Sequence, residues 1–386
     1  MNFNKLITFL FLLMSVITPS HAEFMYLARS PEALMMGDAY TAVADDSYTL
    51  FYNPAVMGRH NGVTFHVLNP SFKLTNPVDV NIGFDGVDVT TNLDRFQNFP
   101  SDPALITDKI LGYPLYLSLG ATPTIKMQNF AISLLGVSKM KFSLENAIHP
   151  MLNLDYRTDT GFIMGYGFPI TGRKGKGKSA VGNTTSVGVA VKRIKRAGID
   201  ETYDLFGTRL LEILNNASDA QAIRRQLGYS KGSAWGFDLG LDSTTTFGNS
   251  TLAFGTSLLD VGGTKFKKEE GDVDVPEQEM SLNFGSAFSQ NWGLLSYTFS
   301  FDYHNAIDPS MAIMSKTHLG FKLDLPIIDL YLGWNGGYSS LGLATDIMFM
   351  RLMVGMYGIE TSPNFREKED RRAVVSLELL NIHVDL

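Results

Sequence analysis

Leu152-Asn-Leu-Asp-Tyr-Arg-Thr-Asp-Thr-Gly-Phe-Ile-Met-Gly-Tyr-Gly-Phe168 alternates from end to end. Leu152, Leu154, Tyr156, Phe162, Met164, Tyr166 and Phe168 fall on one side, while Asn153, Asp155, Arg157, Asp159, Gly161, Gly165 and Gly167 fall on the other. A period of two puts successive side chains on opposite faces of a strand, here one apolar and one polar or glycine-rich. The run is far longer than the five or six residues of an ordinary globular strand.

The pattern recurs outward from this stretch. Leu295, Tyr297, Phe299, Phe301 and Tyr303 alternate with Ser296, Thr298, Ser300, Asp302 and His304, and Trp235, Phe237, Leu239 and Leu241 with Gly236, Asp238, Gly240 and Asp242. Segments of this kind predict strands at 62–74, 112–125, 129–142, 151–169, 185–196, 234–243, 249–261, 279–288, 293–304, 315–325, 327–336, 339–347, 349–360 and 373–386. Fourteen strands, each with a greasy and a wet face, predict an all-β, 14-stranded antiparallel transmembrane barrel. A pair of β-sandwich domains is the soluble alternative, and it accounts poorly for the strand lengths.

Composition points the same way. The chain has 386 residues, 45% of them hydrophobic, and no cysteine, which excludes disulfides, thiolate nucleophiles and cysteine-ligated metal sites. A net charge of −7 argues against nucleic acid as a partner. Lys5, the apolar run Leu6 to Ile17 and the small residues Ser20 and Ala22 read as a signal peptide, 1–22, cut after Ala22. Beyond it no apolar stretch approaches the 18 residues of a spanning helix.

Short connections near Lys126-Met127-Gln128, Gln290-Asn291-Trp292, Pro326 and Met348 are predicted on the periplasmic side, and the long ones, 75–111, 197–233, 262–278 and 361–372, outside. The 170–184 connection breaks this rule and marks a place where the register can be in error. Helical signals in the outer loops cover 102–111, opened by Asp102-Pro103, and two stretches of 203–227, the second capped by Ser218. Gly172-Arg-Lys-Gly-Lys-Gly-Lys-Ser179 matches a phosphate-binding loop, but it leads into the strand of Val187, Val189 and Val191 and not into a helix, so it reads as a solvated basic turn.

Before the first strand, Met36-Gly37, Ala39-Tyr40-Thr41-Ala42, Ala44-Asp45-Asp46 and Asn53-Pro54-Ala55 resemble the N-terminal signature of the FadL-like outer-membrane family of long-chain fatty-acid and hydrocarbon transporters, which includes secretion-shuttle relatives. The resemblance implies that 23–58 is a hatch in the lumen of a barrel formed by 59–386. It also implies that Asp45, Asp46, Asn53, Pro54 and Ala55 contact the wall, and that substrate enters between helical outer loops and leaves sideways through the wall. Small residues suit a plug, and its carboxylates can meet inward Arg157 or Arg351. Arg157, Lys322 and Arg351 can pair either a ligand carboxylate or acidic neighbours such as Asp155, Asp302, Asp324 and the hatch aspartates.

No catalytic constellation emerges. Asp302 and His304 share a polar face as lumen residues do, and the Gly-x-Ser-x-Gly elbow is lacking. The expectation is a monomeric, cofactor-free and metal-free protein of a Gram-negative outer membrane, set among lipids, that takes up hydrophobic or amphipathic molecules such as long-chain fatty acids. The alternative is a scaffold whose outer loops bind a surface or secreted protein without transport.

Overall fold

The computed structural model describes residues 23–75, 78–83, 86–91, 111–112, 114–146, 148–173, 181–204, 220–347 and 349–384. The expected signal peptide, nearly all of the expected 102–111 helix, most of the first expected helical stretch of 203–227 and most of the basic turn at 172–179 lie outside them.

Fourteen antiparallel strands close on themselves. In chain order they are β1 (Val63–Leu68 continued by Ser71–Thr75), β2 (Leu115–Ala121 continued by Thr124–Met127), β3 (Phe130–Glu145), β4 (Met151–Arg173), β5 (Val181–Asp204), β6 (Ser230–Phe247) and β7 (Ser250–Leu259). They continue with β8 (Ser281–Asn291), β9 (Ser296–Tyr303), β10 (Thr317–Asp324), β11 (Ile328–Asn335), β12 (Tyr338–Ile347), β13 (Met350–Glu360) and β14 (Glu369–Val384). Each pairs with the next, and β1 closes the ring on β14 with Val63 opposite Val384 and Arg372 opposite Thr75. Closure leaves no unpaired edge.

The alternation sorts residues as expected. On β4, Met164, Tyr166 and Phe168 face outward and are among the exposed large apolar residues, while Arg157, Asp159 and Ile163 are buried within. The 170–184 connection turns out to be mostly strand: β4 and β5 pair in one ladder from Met151 opposite Asp204 to Arg173 opposite Asn183, with one bulge between Pro169 and Thr171. The bulge shifts the pairing by one residue, from Pro169 opposite Ser186 to Thr171 opposite Thr185.

Three loop readings need correction. Both ends of 197–233 are strand, since β5 runs to Asp204 and β6 begins at Ser230, with a helix Ala220–Gln226 in the connection. The 75–111 connection contains an unpredicted hairpin, Val78–Gly83 with Gly86–Thr91. The charged run before residue 373 is partly wall: β14 begins at Glu369, and Arg372 is an inward residue only 3% exposed because Asp370 and Glu23 neutralise it.

The N-terminal segment is buried almost throughout, and it touches opposite parts of the wall. Its 3₁₀ turn Pro54–Arg59 packs on β4, β5 and β6, and its first helix, α1 (Pro31–Met35), on β11 to β14. Close approach is possible because the inward face carries glycines in register. Gly167 is opposite Gly188, Gly188 opposite Gly240, Gly255 opposite Gly285, Gly320 opposite Gly333, and Gly342 opposite Gly355. A Cβ at Gly188 would run into the backbone of Ala55, one at Gly333 into Gly37, and one at Gly342 or Gly355 into the Met35 side chain.

Candidate functional site

The N-terminal segment is built from short, locally capped pieces. Ser30 Oγ accepts from the Ala33 N–H at 3.3 Å with Pro31 in the first turn of α1, and Gly37 and Asp38, both at positive φ, turn the chain back. A second helix, α2 (Thr49–Tyr52), leads to Asn53, whose Oδ1 accepts from the Ala55 N–H at 3.0 Å and caps the 3₁₀ turn that Pro54 opens.

Polar anchors join this segment to the wall. Asp302 on β9 takes both backbone donors of the Tyr40-Thr41 turn, and Asn53 Nδ2 donates to the Leu241 carbonyl of β6 at 2.9 Å. Lys126 of β2 donates to the carbonyls of Asp45 and Asp46. Glu32 of α1 receives Lys322 at 2.9 Å and lies 3.7 Å from Arg351.

The residues singled out from sequence therefore divide. Asn53, Pro54 and Ala55 lie against β5 and β6, with Asn53 bonding the wall directly. Asp45 and Asp46 meet the wall through their carbonyls, while their carboxylates turn inward: Asp45 accepts from the Tyr40 hydroxyl at 3.2 Å, and Asp46 from the Ser30 hydroxyl and from the Tyr48 N–H at 2.8 Å. Arg157 is held by the wall acids Asp155 at 2.8 Å and Asp200 at 3.1 Å. Lys322 and Arg351 reach the segment at Glu32 and share wall acids as well, Lys322 with Asp324 and Arg351 with Asp329 and Asp346.

Water exclusion raises the Asp46 carboxyl, the Ser30 hydrogen bond opposes that rise, and nearby Glu32 and Asp45 add to it, leaving Asp46 near 7. Burial acts on Glu23 in the same direction, but Arg372 and Lys141 outweigh it and hold that carboxylate well below the usual range.

Glu23 lies between two cavities at the long-loop end. One, of about 470 Å³, is a polar vestibule that includes Lys141, Asn153, Asp200, Thr361 and Lys368. The other, of about 90 Å³, is deeper and amphipathic, with Phe24, Leu34, Tyr116 and Tyr357 beside Lys73 and Lys139. Glu23 and Met25 line both. Glu23, Glu32 and Arg372 escaped the sequence reading. An acidic residue just after an expected cleavage site carries no motif, and Arg372 sat inside what looked like a solvated charge run.

The deeper cavity also touches β1 and β2 at Ser71, Lys73, Tyr116 and Ser118, just above a break in the wall. Asn69-Pro70 and Thr122-Pro123 interrupt the two neighbouring strands side by side, since a proline cannot donate to the ladder. The Asn69 side chain replaces the missing bonds, donating to the Thr122 carbonyl at 3.0 Å and accepting from its N–H at 2.8 Å. Ser47 backs the break from inside, where its hydroxyl accepts from Asn69 at 2.6 Å and its carbonyl accepts from the Thr124 hydroxyl at 2.8 Å. Prolines inside two alternating strands were the available signal for this break.

No family profile and no curated relative matches the chain. Among solved structures, it is similar to a deltaS2 mutant of the TodX monoaromatic hydrocarbon channel, at 12% identity and a TM-score of 0.47 over 93% of this chain and all of the other. It is similar to the P. putida toluene transporter TodX at 12% identity and a TM-score of 0.41, again over 93% of this chain and all of the other. The CymD monoaromatic hydrocarbon channel compares at 12% identity and a TM-score of 0.39 over 94% of this chain and all of that one.

Proposed function

We propose that this chain is an outer-membrane channel for passive uptake of hydrophobic or amphipathic small molecules, with 23–58 as its hatch. The observation that carries the reading is the position of Glu23, a carboxylate held by Arg372 and Lys141 where an open vestibule meets an amphipathic inner cavity. A ligand carboxylate, such as that of a long-chain fatty acid, is the natural competitor for those two cations, and its chain would follow the apolar side of the deeper cavity. The ligand would then leave sideways through the Asn69-Pro70 and Thr122-Pro123 break once the 45–47 stretch withdraws. The outward apolar faces of all the strands support a membrane setting.

Native mass spectrometry of the detergent-purified chain, combined with uptake of labelled fatty acid by cells expressing it, tests the reading. A stoichiometric bound lipid, weakened several-fold in Arg372→Ala or Lys141→Ala, is expected together with uptake above that of cells lacking the protein. Uptake equal to that of those cells, with no lipid bound, would overturn it.

A further inference from the structure

We propose that Asp38, His304 and His318 form a binding site for one divalent transition metal ion of the zinc class, joining the N-terminal segment to the wall. One donor atom from each residue lies within 4.8 Å of the other two, and all three residues are at least 95% buried. Among the described residues this is the one group of three or more His, Asp or Glu arranged in this way.

Hydrogen bonding sets the tautomers for metal binding. His304 Nε2 lies 3.0 Å from Asp302 Oδ2, so it carries a proton, and in the neutral ring that a metal would bind Nδ1 keeps its lone pair. His318 Nδ1 lies 2.9 Å from the Gly37 carbonyl, which leaves the lone pair on Nε2. A carboxylate on one ligand imidazole and a backbone carbonyl on the other are the outer partners that orient metal-binding histidines.

His304 Nδ1 then faces Asp38 Oδ2 at 3.4 Å, and among the described residues that nitrogen has no other partner. Two buried lone-pair donors pointed at each other repel unless a cation or a proton lies between them. Arg29 pairs with the same Asp38 oxygen and supplies charge, but it offers nothing to His304 Nδ1. The imidazole rings stack with centroids 4.2 Å apart, which disfavours charging both. Two imidazoles and one carboxylate form a donor set suited to zinc, with a fourth position left open. His318 also lines the deeper cavity, the space through which a ligand would pass.

Metal uptake is an equilibrium property of the purified chain and does not depend on the transport reading. The full-length protein in detergent, stripped with a chelator, is titrated with Zn²⁺ by calorimetry and with Co²⁺ by visible absorption. One equivalent per chain is expected, with affinity falling at least ten-fold in His318→Ala and Asp38→Asn and holding in the control His383→Ala. X-ray absorption of the Zn²⁺-loaded wild-type protein should show two imidazole ligands, a readout that needs no variant to fold. Absence of stoichiometric uptake, as when a proton fills the gap instead, would overturn the proposal. So would uptake indifferent to Asp38 and His318, or a first shell of oxygen alone.

Discussion

Glu23 and Arg372 meet through two parallel hydrogen bonds, Nη1 to Oε1 at 2.9 Å and Nη2 to Oε2 at 3.0 Å, across 349 residues of sequence. Asp370 takes the remaining charge of the guanidinium, and the Tyr116 ring lies against its carbon at 3.5 Å. Glu23→Gln should therefore loosen the segment and raise single-channel conductance in planar bilayers several-fold. In the wild type the carboxylate is held far below its ordinary range, so its contribution is complete above about pH 4.5 and persists in moderate acid. Conductance that rises steeply on mild acidification would contradict the pairing.

Asp302→Ala should strand the N–H groups of Tyr40 and Thr41, which bond its carboxylate at 2.8 and 2.7 Å. Losing a charged acceptor from two buried donors costs about 3 kcal/mol. The loss should appear as faster hydrogen exchange across 38–46, with the heat-modifiable gel shift of the barrel unchanged.

Asp46 gives the segment a pH dependence of opposite sign to Glu23. Its pKa is raised from 3.8 to about 7, so the docked segment holds the proton more tightly than a free one does. Docking is then strongest below about pH 4, weakens as pH climbs to about 7, and stays level beyond that. Glu32, Asp45 and Glu378 reinforce the effect, and Lys126 opposes it. Protease sensitivity of 40–50 should rise between pH 5 and 8 in the wild type and stay flat in Asp46→Asn.

Gly188→Val places a side chain where the Ala55 backbone runs. The expected result is a barrel that still shows β circular dichroism and heat-modifiable migration but conducts small ions freely. An intact closed state would mean that the wall has more slack than the contact allows.

Met164→Arg on the outward face of β4 should cost about 2–4 kcal/mol in bilayer folding titrations, and Asn153→Arg much less. Equal penalties would reverse the assignment of inside and outside.

Alternation made the strands legible because a barrel wall has only two environments. Leu152 to Phe168 could be placed, face by face, from sequence alone. The anchors were less visible, since a polar inward residue looks the same whether it meets water or another segment. Asp302 read simply as lumen polarity until Tyr40 and Thr41 came to lie beside it, and Lys322 and Arg351 offered no way to choose among the available acids. Loops were misjudged where charge was taken for solvent exposure, as at Arg372, or where long strands ran past their expected ends, as in β5 and β6.

The paired inward glycines from Gly167 to Gly355 amount to a mould of one particular peptide. A mould constrains its casting: Met35, Gly37 and Ala55 cannot grow without a compensating change on strands far away in sequence. Grafting the first sixty residues of another such barrel onto these strands should yield a leaky chimera, however similar the two signatures look. The fit also bears on assembly order. A ring closed around an empty centre would leave the segment to thread through a gap already narrowed to its own outline, so the wall is expected to close around a segment already in place.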